Sequence, residues 1–517
     1  MQNIDDIIAM ASSFGFTLST DEAVLYRDAL ESQLGVFDEF VRARFDESRP
    51  PMLSPHREPG YRPTKREDPH HAWSWKCRID GNEDGLLAGL TVGFKDHIAV
   101  AGIPLTVGAR ALEGFVADFD ATVVTRTLAA GGSIVGKNTL NGLTGGAGWG
   151  GLGDYERPLN PHHRDHITGG SSSGSAVAVA AAEVDVSFGG DQGGSIRTPA
   201  AFCGTLGLKP TFGLLSHFGA GFGSDQSVDY VGPMARHARH LALALQATAG
   251  YDDYDPRQRR STPESLDVLS TLEGGVRGLR LGLLEEGFAG AEPAVRDTVM
   301  AAVEVLGEQG AEITTISVPE HETAGVAQMA LMLEGGKAIF DVGFFGAFAR
   351  TYYPEAWIRA VNDLFDRHAD GLAPRIKLGL LGAELTRRNY GGGLYARAHN
   401  VRPTFVRAFD DALARVDVLV MPTCKMTAPR YTPPAGRLEA LQAGFQRMFP
   451  APLLNTIPYN YTGHPALAVP VGKSGGLPVS MQLVGRMLDD PLLVRVAYAY
   501  EHSVDWASVI GLGDAAR

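Results

Sequence analysis

Apolar positions recur along this chain in two periods. Short β-prone runs at Leu279–Leu284, Asp417–Met421 and Ala466–Val471 predict strands, and longer amphipathic stretches at Ala294–Gln309 and Pro403–Ala414 predict helices. Runs of one kind alternate with stretches of the other, which is the pattern of α/β layers. Asp120–Leu128 reads as an amphipathic helix that passes through the Gly131-Gly132 turn into a buried strand at Ser133–Val135. In Leu90–Val100 an apolar, β-prone run brings Lys95 to the end of a strand. The first 75 residues are different. Helix-like stretches at Ile4–Phe14 and Thr20–Phe45 precede a Pro/Arg/His-rich connector from Arg49 to His71, so a helical extension over 1–75 and a main domain over 76–517 are expected.

Composition narrows the class. A chain of 517 residues can bury a large core, and a net charge of −13 without any basic stripe argues against nucleic acid as a partner. Three scattered cysteines, Cys77, Cys203 and Cys424, do not make a disulfide framework and point to a reducing compartment. The opening Met1-Gln2-Asn3-Ile4-Asp5-Asp6 carries no basic leader, and no apolar run reaches the ~18 residues that a membrane span requires. A soluble cytoplasmic enzyme without membrane contact is expected. Glycine, at 63 residues, exceeds the usual share of about 7% and suits many tight loops.

Two of those loops carry chemistry. The first is Thr168-Gly169-Gly170-Ser171-Ser172-Ser173-Gly174-Ser175, followed by an Ala/Val-rich run. The second is Gly189-Gly190-Asp191-Gln192-Gly193-Gly194-Ser195-Ile196-Arg197. Glycines before a serine let the backbone turn sharply and bring its N–H groups to a carbonyl oxygen, the minimum of an oxyanion hole. Pro199 in the apolar run that follows fits the first turn of a helix, which puts Ser195 near a helix N-terminus.

A serine hydroxyl needs a base. No Gly-x-Ser-x-Gly elbow surrounds Ser195. The chain's 15 histidines leave a Ser/His/Asp triad open on composition, yet none lies in either glycine-rich segment. Lys95 is the other option, because burial disfavours an ammonium ion and lowers its pKa toward that of a useful base.

The two serine segments, their separation and the upstream lysine segment resemble the amidase signature family. The resemblance continues through Gly204–Thr211, Asp417–Thr423 and Thr462–Leu467 to Gly476–Val479, and spans roughly residues 85 to 505. It implies a mixed, twisted sheet between helical layers and a Ser–cis-Ser–Lys triad. Ser195 would be the nucleophile, Ser171 the bridging serine with a cis peptide bond, and Lys95 the base. The implied oxyanion hole is formed by the amides of Gln192, Gly193, Gly194 and Ser195, with Asp191, Arg197, Gly170 and Ser172 in support. It also implies a small-molecule amide substrate, an acyl-enzyme on Ser195, and no cofactor or metal. Within the family, the wording around Ser195, the N-terminal helices and Asp255-Pro256-Arg257-Gln258 resemble bacterial enantioselective amidases associated with nitrile metabolism, which implies a homodimer.

Each feature also has a plainer reading. Residues 169–175 have the composition of a flexible surface loop. A lysine after an apolar strand is commonly a solvated strand end, and Asp191 with Arg197 suits a surface ion pair as well as a brace. His97 reads as structural or as a pocket wall, and Cys203 as core. Gly131–Asn138 nearly spells a phosphate-binding loop, with Asn138 where Ser or Thr should stand. His162, His163 and His166 lack a carboxylate or cysteine partner at ligand spacing. Gly145–Tyr155, where a Gly/Trp-rich stretch suits an acyl pocket, Tyr390–Arg397 and Tyr459–Tyr461 depart from the family and leave the substrate open. The same acyl-enzyme chemistry on hydrazides, carbamates or esters, acyl transfer to another nucleophile, and a component of a tRNA-dependent amidotransferase are the alternatives.

Overall fold

The computed structural model describes residues 3–511 apart from 44, 55–56, 141, 145–153, 222, 344–348, 434, 437, 440 and 443–454. Most of the Gly145–Tyr155 stretch therefore lies outside the described residues. The chain divides into two compact units, Met1–Arg49 and Pro50–Arg517.

The first unit is a pair of helices, Ile4–Ser13 and Thr20–Arg42. Asn3 caps the first through a bond from the Asp5 N–H. Ser19 and Glu22 close a reciprocal capping box on the second, which satisfies donors that a helix start otherwise leaves unpaired. Few of its side chains are buried, Ile7, Ala11 and Ala23 among them, whereas Phe14, Leu25, Val36, Phe37, Phe40 and Val41 stay exposed.

The second unit is built on one mixed sheet of eleven strands. In chain order they are β1 Trp73–Ile79, β2 Thr91–Lys95, β3 Ser133–Asn138, β4 Val186–Asp191, β5 Leu206–Lys209, β6 Tyr230–Ala235, β7 Arg280–Leu284, β8 Glu312–Ile316, β9 Val418–Pro422, β10 Ala466–Ser474 and β11 Leu477–Val484. The spatial order is β1-β3-β2-β4-β6-β5-β10-β11-β9-β7-β8. β3, β2 and β4 run parallel to one another, as do β9, β7 and β8 at the far side, and antiparallel pairs join the two parallel groups.

Central strands such as β4 are buried on both faces, so they read as continuous apolar and small residues rather than as an alternation. One face packs Val186, Phe94 and Phe188 against helices Thr122–Ala129, Ala238–Thr248, Pro293–Glu308 and Asp490–Glu501 in the largest core cluster. The other face is covered beside β4 by Ser173–Ala180 and Arg197–Cys203, whose Ala176–Ala180, Ala200 and Cys203 pack with Met234 and Ala468. Ser173–Ala180 is buried all round, which its Ala/Ser/Val composition permits close to a sheet.

The strands at residues 280, 418 and 466 and the helix at 294 stand within a few residues of their expected bounds. The stretch expected as Pro403–Ala414 is instead the interior of a longer helix, Gly393–Arg415. Pro403 suits a first helical turn, but here it sits mid-helix, where ten preceding residues already hold the helical path. Lys137 of the near-miss phosphate loop lies in β3, buried in an ion pair with Asp96 at 2.9 Å.

Candidate active site

Lys95 is the last residue of β2 and Asp191 the last of β4, two parallel neighbours paired at Phe94 and Phe188. Their carboxyl ends open on the same edge, where α/β sheets present reactive groups. Ser171 arrives from the segment just before helix Ser173–Ala180. Lys95 Nζ donates to Ser171 Oγ at 2.7 Å and lies 3.5 Å from the Gly190 carbonyl. Lys95, Ser171, Asp191 and Arg197 are all fully buried. The Gly170–Ser171 peptide bond is cis.

Ser172 fastens the two serine segments together. Its hydroxyl donates to the Gly190 carbonyl at 3.1 Å and accepts from the Gly190 N–H at 3.2 Å, while its own N–H donates to the Ser195 carbonyl at 3.1 Å. The approach requires glycine at 189, since a Cβ there would stand 2.6 Å from Ser172 Oγ. Ser195 is half-buried, and among the described residues no hydrogen bond joins its hydroxyl to that of Ser171.

The loop between β4 and helix Arg197–Cys203 folds around the Asp191 carboxylate. That group accepts from the Gly194 N–H at 2.6 Å, from Ile196 N–H at 3.1 Å, and from Arg197 Nε and Nη2 at 3.0 Å each. Arg197 reaches on to the Thr456 carbonyl and Gln482 Oε1 at 2.9 Å and to Asn460 Oδ1 at 2.6 Å. Asp191 and Arg197 are therefore a buried brace rather than a surface pair. Burial works to raise the Asp191 pKa, but the Arg197 charge, the Asn460 amide and the Ile196 N–H overcome it and hold the carboxyl well below its usual range.

One of the four expected donors is engaged within the loop itself. Gly194 sits at φ +126°, a conformation that favours glycine, and its N–H is committed to Asp191. Among the described residues the amides of Gln192, Gly193 and Ser195 make no hydrogen bond.

Burial, opposed by the charges of Asp229 and Asp191, pulls the Lys95 ammonium down to about 7. Lys95 is thus poised between neutral amine and ammonium near neutrality. A neutral amine against a hydroxyl can take up its proton, and three unpaired amides can hold a developing oxyanion. His97 is buried beside this group, with its pKa driven well down by burial and by the positive charge of Lys95, and neither ring nitrogen is hydrogen-bonded among the described residues.

Several residues here were not singled out by the sequence. Asp229 accepts from Gln192 Nε2 at 2.6 Å and lies 3.0 Å from His217 Nε2. Gln328, on helix Glu320–Asp341, donates to the Gln192 carbonyl, and Thr456 Oγ1 donates to the Gly193 carbonyl at 2.7 Å. Asn460 falls within the Tyr459–Tyr461 stretch noted for its departure, and its place explains that stretch. The flanking tyrosines are buried and Asn460 binds the Asp191 carbonyl at 2.8 Å, so this segment braces the loop. In Tyr390–Arg397, Tyr390 is exposed and Tyr395 donates to Asp225 at 2.8 Å. His162 and His166 each contact a backbone carbonyl, Cys203 at 3.0 Å and Ala428 at 2.6 Å.

The profile of the amidase family matches residues 65–494. An enantioselective amidase of Rhodococcus rhodochrous is 36% identical, covering 97% of this chain and 96% of that protein. A glutamyl-tRNA(Gln) amidotransferase component of Chloroflexus aggregans is 36% identical over 81% of this chain and 83% of its own length. Among solved structures, the native peptide amidase of Stenotrophomonas maltophilia superposes with a TM-score of 0.64 at 29% identity, covering 81% of this chain and 83% of that one. The corresponding glutamyl-tRNA(Gln) amidotransferase component of Thermotoga maritima superposes at 0.67 with 28% identity, covering 85% and 89%.

Proposed function

The chain belongs to the amidase signature family and hydrolyses amides, and on that premise we propose that Ser195 carries the reaction as its nucleophile. The observation that most supports this reading is the buried 2.7 Å contact between Lys95 Nζ and Ser171 Oγ, with the lysine pulled down to about 7. Neutral Lys95 takes the Ser171 proton, and Ser171 takes the proton of Ser195 as its Oγ bonds to the amide carbon. The carbonyl π pair moves onto oxygen, which the amides of Gln192, Gly193 and Ser195 stabilise. The oxyanion collapses, the C–N bond breaks, and the leaving amine collects the relayed proton. Water then attacks the Ser195 acyl-enzyme by the same relay and releases the carboxylic acid.

Small carboxamides bearing an α-substituent are the proposed substrates, with preference for one enantiomer. Support comes from the Rhodococcus relative, which matches essentially end to end, whereas the amidotransferase components match about four fifths of this chain. The helices of residues 1–75 are proposed as the contact of a homodimer, supported by the apolar side chains that Met1–Arg49 leaves exposed. A cytoplasmic setting is proposed on the sequence features above. Among the described residues no helix is long and apolar enough to cross a membrane.

The test is turnover of aliphatic, aryl and α-substituted amides, with ester and hydrazide analogues, by wild type, Ser195→Ala, Ser171→Ala and Lys95→Ala. Released ammonia, amine or hydrazine and acid are measured together. Ser195→Ala is expected to abolish acylation, Lys95→Ala nearly so, and Ser171→Ala to lower turnover strongly in a folded protein. An active Ser195→Ala protein would sink the mechanism. Added hydroxylamine that diverts most of the acid to hydroxamate would favour acyl transfer.

A further inference from the structure

We infer that Gln328 is a positioning residue that aims the Gly193 N–H at the oxyanion, an inference that rests on the mechanism proposed above. A peptide unit is planar and trans, so its C=O and N–H point in opposite directions and cannot be turned separately. The unit joining Gln192 to Gly193 carries the Gln192 carbonyl on one side and the Gly193 N–H on the other. Gln328 Nε2 donates to that carbonyl at 2.5 Å. Holding the carbonyl toward helix Glu320–Asp341 turns the Gly193 N–H away from the helix, and this N–H makes no hydrogen bond among the described residues.

The next peptide unit obeys the same rule and shows its effect. Thr456 Oγ1 holds the Gly193 carbonyl at 2.7 Å, and the N–H of that unit, on Gly194, points to Asp191 Oδ1 at 2.6 Å. Two successive units are therefore each set by a side chain distant in sequence. One N–H is spent on the internal brace and the other is left for the reaction.

Gln328 itself is fully buried, and its Oε1 has no hydrogen-bond partner among the described residues. Its remaining polar contact is a 3.8 Å approach of Nε2 to Met332 Sδ. A side chain kept for stability would be expected to satisfy both ends, since a buried unpaired acceptor is destabilising. Gln328 instead places one good bond on the one carbonyl that controls the Gly193 donor.

The experiment compares wild type with Gln328→Met, which keeps the length and removes the donor. For a hydrolysed amide, kcat is expected to fall at least about tenfold with KM within about twofold, because loss of an oxyanion donor costs ~10²–10³ in rate and a misaimed donor part of that. An aldehyde analogue of the substrate, which Ser195 Oγ adds to give a tetrahedral hemiacetal, is expected to lose affinity by a similar factor. Inhibition by the product acid should be unchanged. Unchanged kcat overturns the inference. So does a fall in kcat and melting temperature together with aldehyde affinity retained. Gln328→Asn, which stays polar but is one methylene too short, replaces Gln328→Met if that variant does not fold, under the same criteria. Wild type that turns over no amide overturns the mechanism and this inference together, whereas active wild type with fully active Gln328→Met overturns only this inference.

Discussion

Lys95 carries two consequences at the scale of a single residue. As the proposed base it must be neutral, so kcat/KM is expected to rise with pH through about 7 and level off above it, measured between pH 5 and 9 on an uncharged amide. A profile flat across that range would remove Lys95 from the proton relay. The second consequence is a cost in stability. A lysine pulled below its unfolded value of ~10.4 binds its proton more readily in the unfolded chain, so the native state is penalised wherever the unfolded lysine is charged. That penalty is full below about 7 and shrinks as pH rises from there toward 10. Lys95→Met is therefore expected to be inactive yet more heat-stable at pH 6, with a gain in melting temperature that closes toward pH 10. Calorimetry at several pH values reads this directly, and a variant less stable at pH 6 would contradict the burial argument.

At the scale of elements, the loop after β4 is held by a buried pair, not by its own short helix. Breaking a buried pair by deleting one partner typically costs ~3–5 kcal/mol, so Arg197→Met should destabilise the protein by that order in urea unfolding and reduce turnover with it. Near-native stability would show the pair dispensable. This level also shows what the chain betrays of itself. Lys95, Ser171 and Ser195 are legible because each sits in a local pattern, a strand end or a glycine-rich turn, that carries its meaning in a few neighbouring residues. Gln328, Thr456, Asn460 and Gln482 are not, because each is a lone polar side chain in an otherwise ordinary helix, turn or strand. Its partner lies 136 to 285 positions away, and only the folded chain defines that contact. The bond from the Gly194 N–H to Asp191 is hidden for a related reason, since the sequence shows a glycine but not which way its N–H turns. Periodicity reveals the strands and the layers, while Pro403 suggests a false helix start because a proline that opens a helix and one embedded in it look the same locally.

At the scale of the molecule, the helices of Met1–Arg49 leave large apolar side chains exposed, among them Phe14, Leu25, Val36, Phe37, Phe40 and Val41, which supports the proposed contact. A chain beginning at residue 50 is expected to elute as a monomer by light scattering while the full chain is a dimer, with kcat on small amides retained. A monomeric full chain, or a dimeric shortened one, would end that role for the segment. The brace around Asp191 reaches further than the site it serves, because Arg197 closes on Asn460 and Gln482, the latter 285 positions downstream. On a ribosome the lysine, both serines and the glycine turns emerge early, but the partners that hold the loop after β4 lie 259 to 285 positions beyond Arg197. A nascent chain stalled at residue 450 is therefore expected to carry Lys95, Ser171 and Ser195 yet turn over no amide, because the side chains that hold the loop have still to emerge.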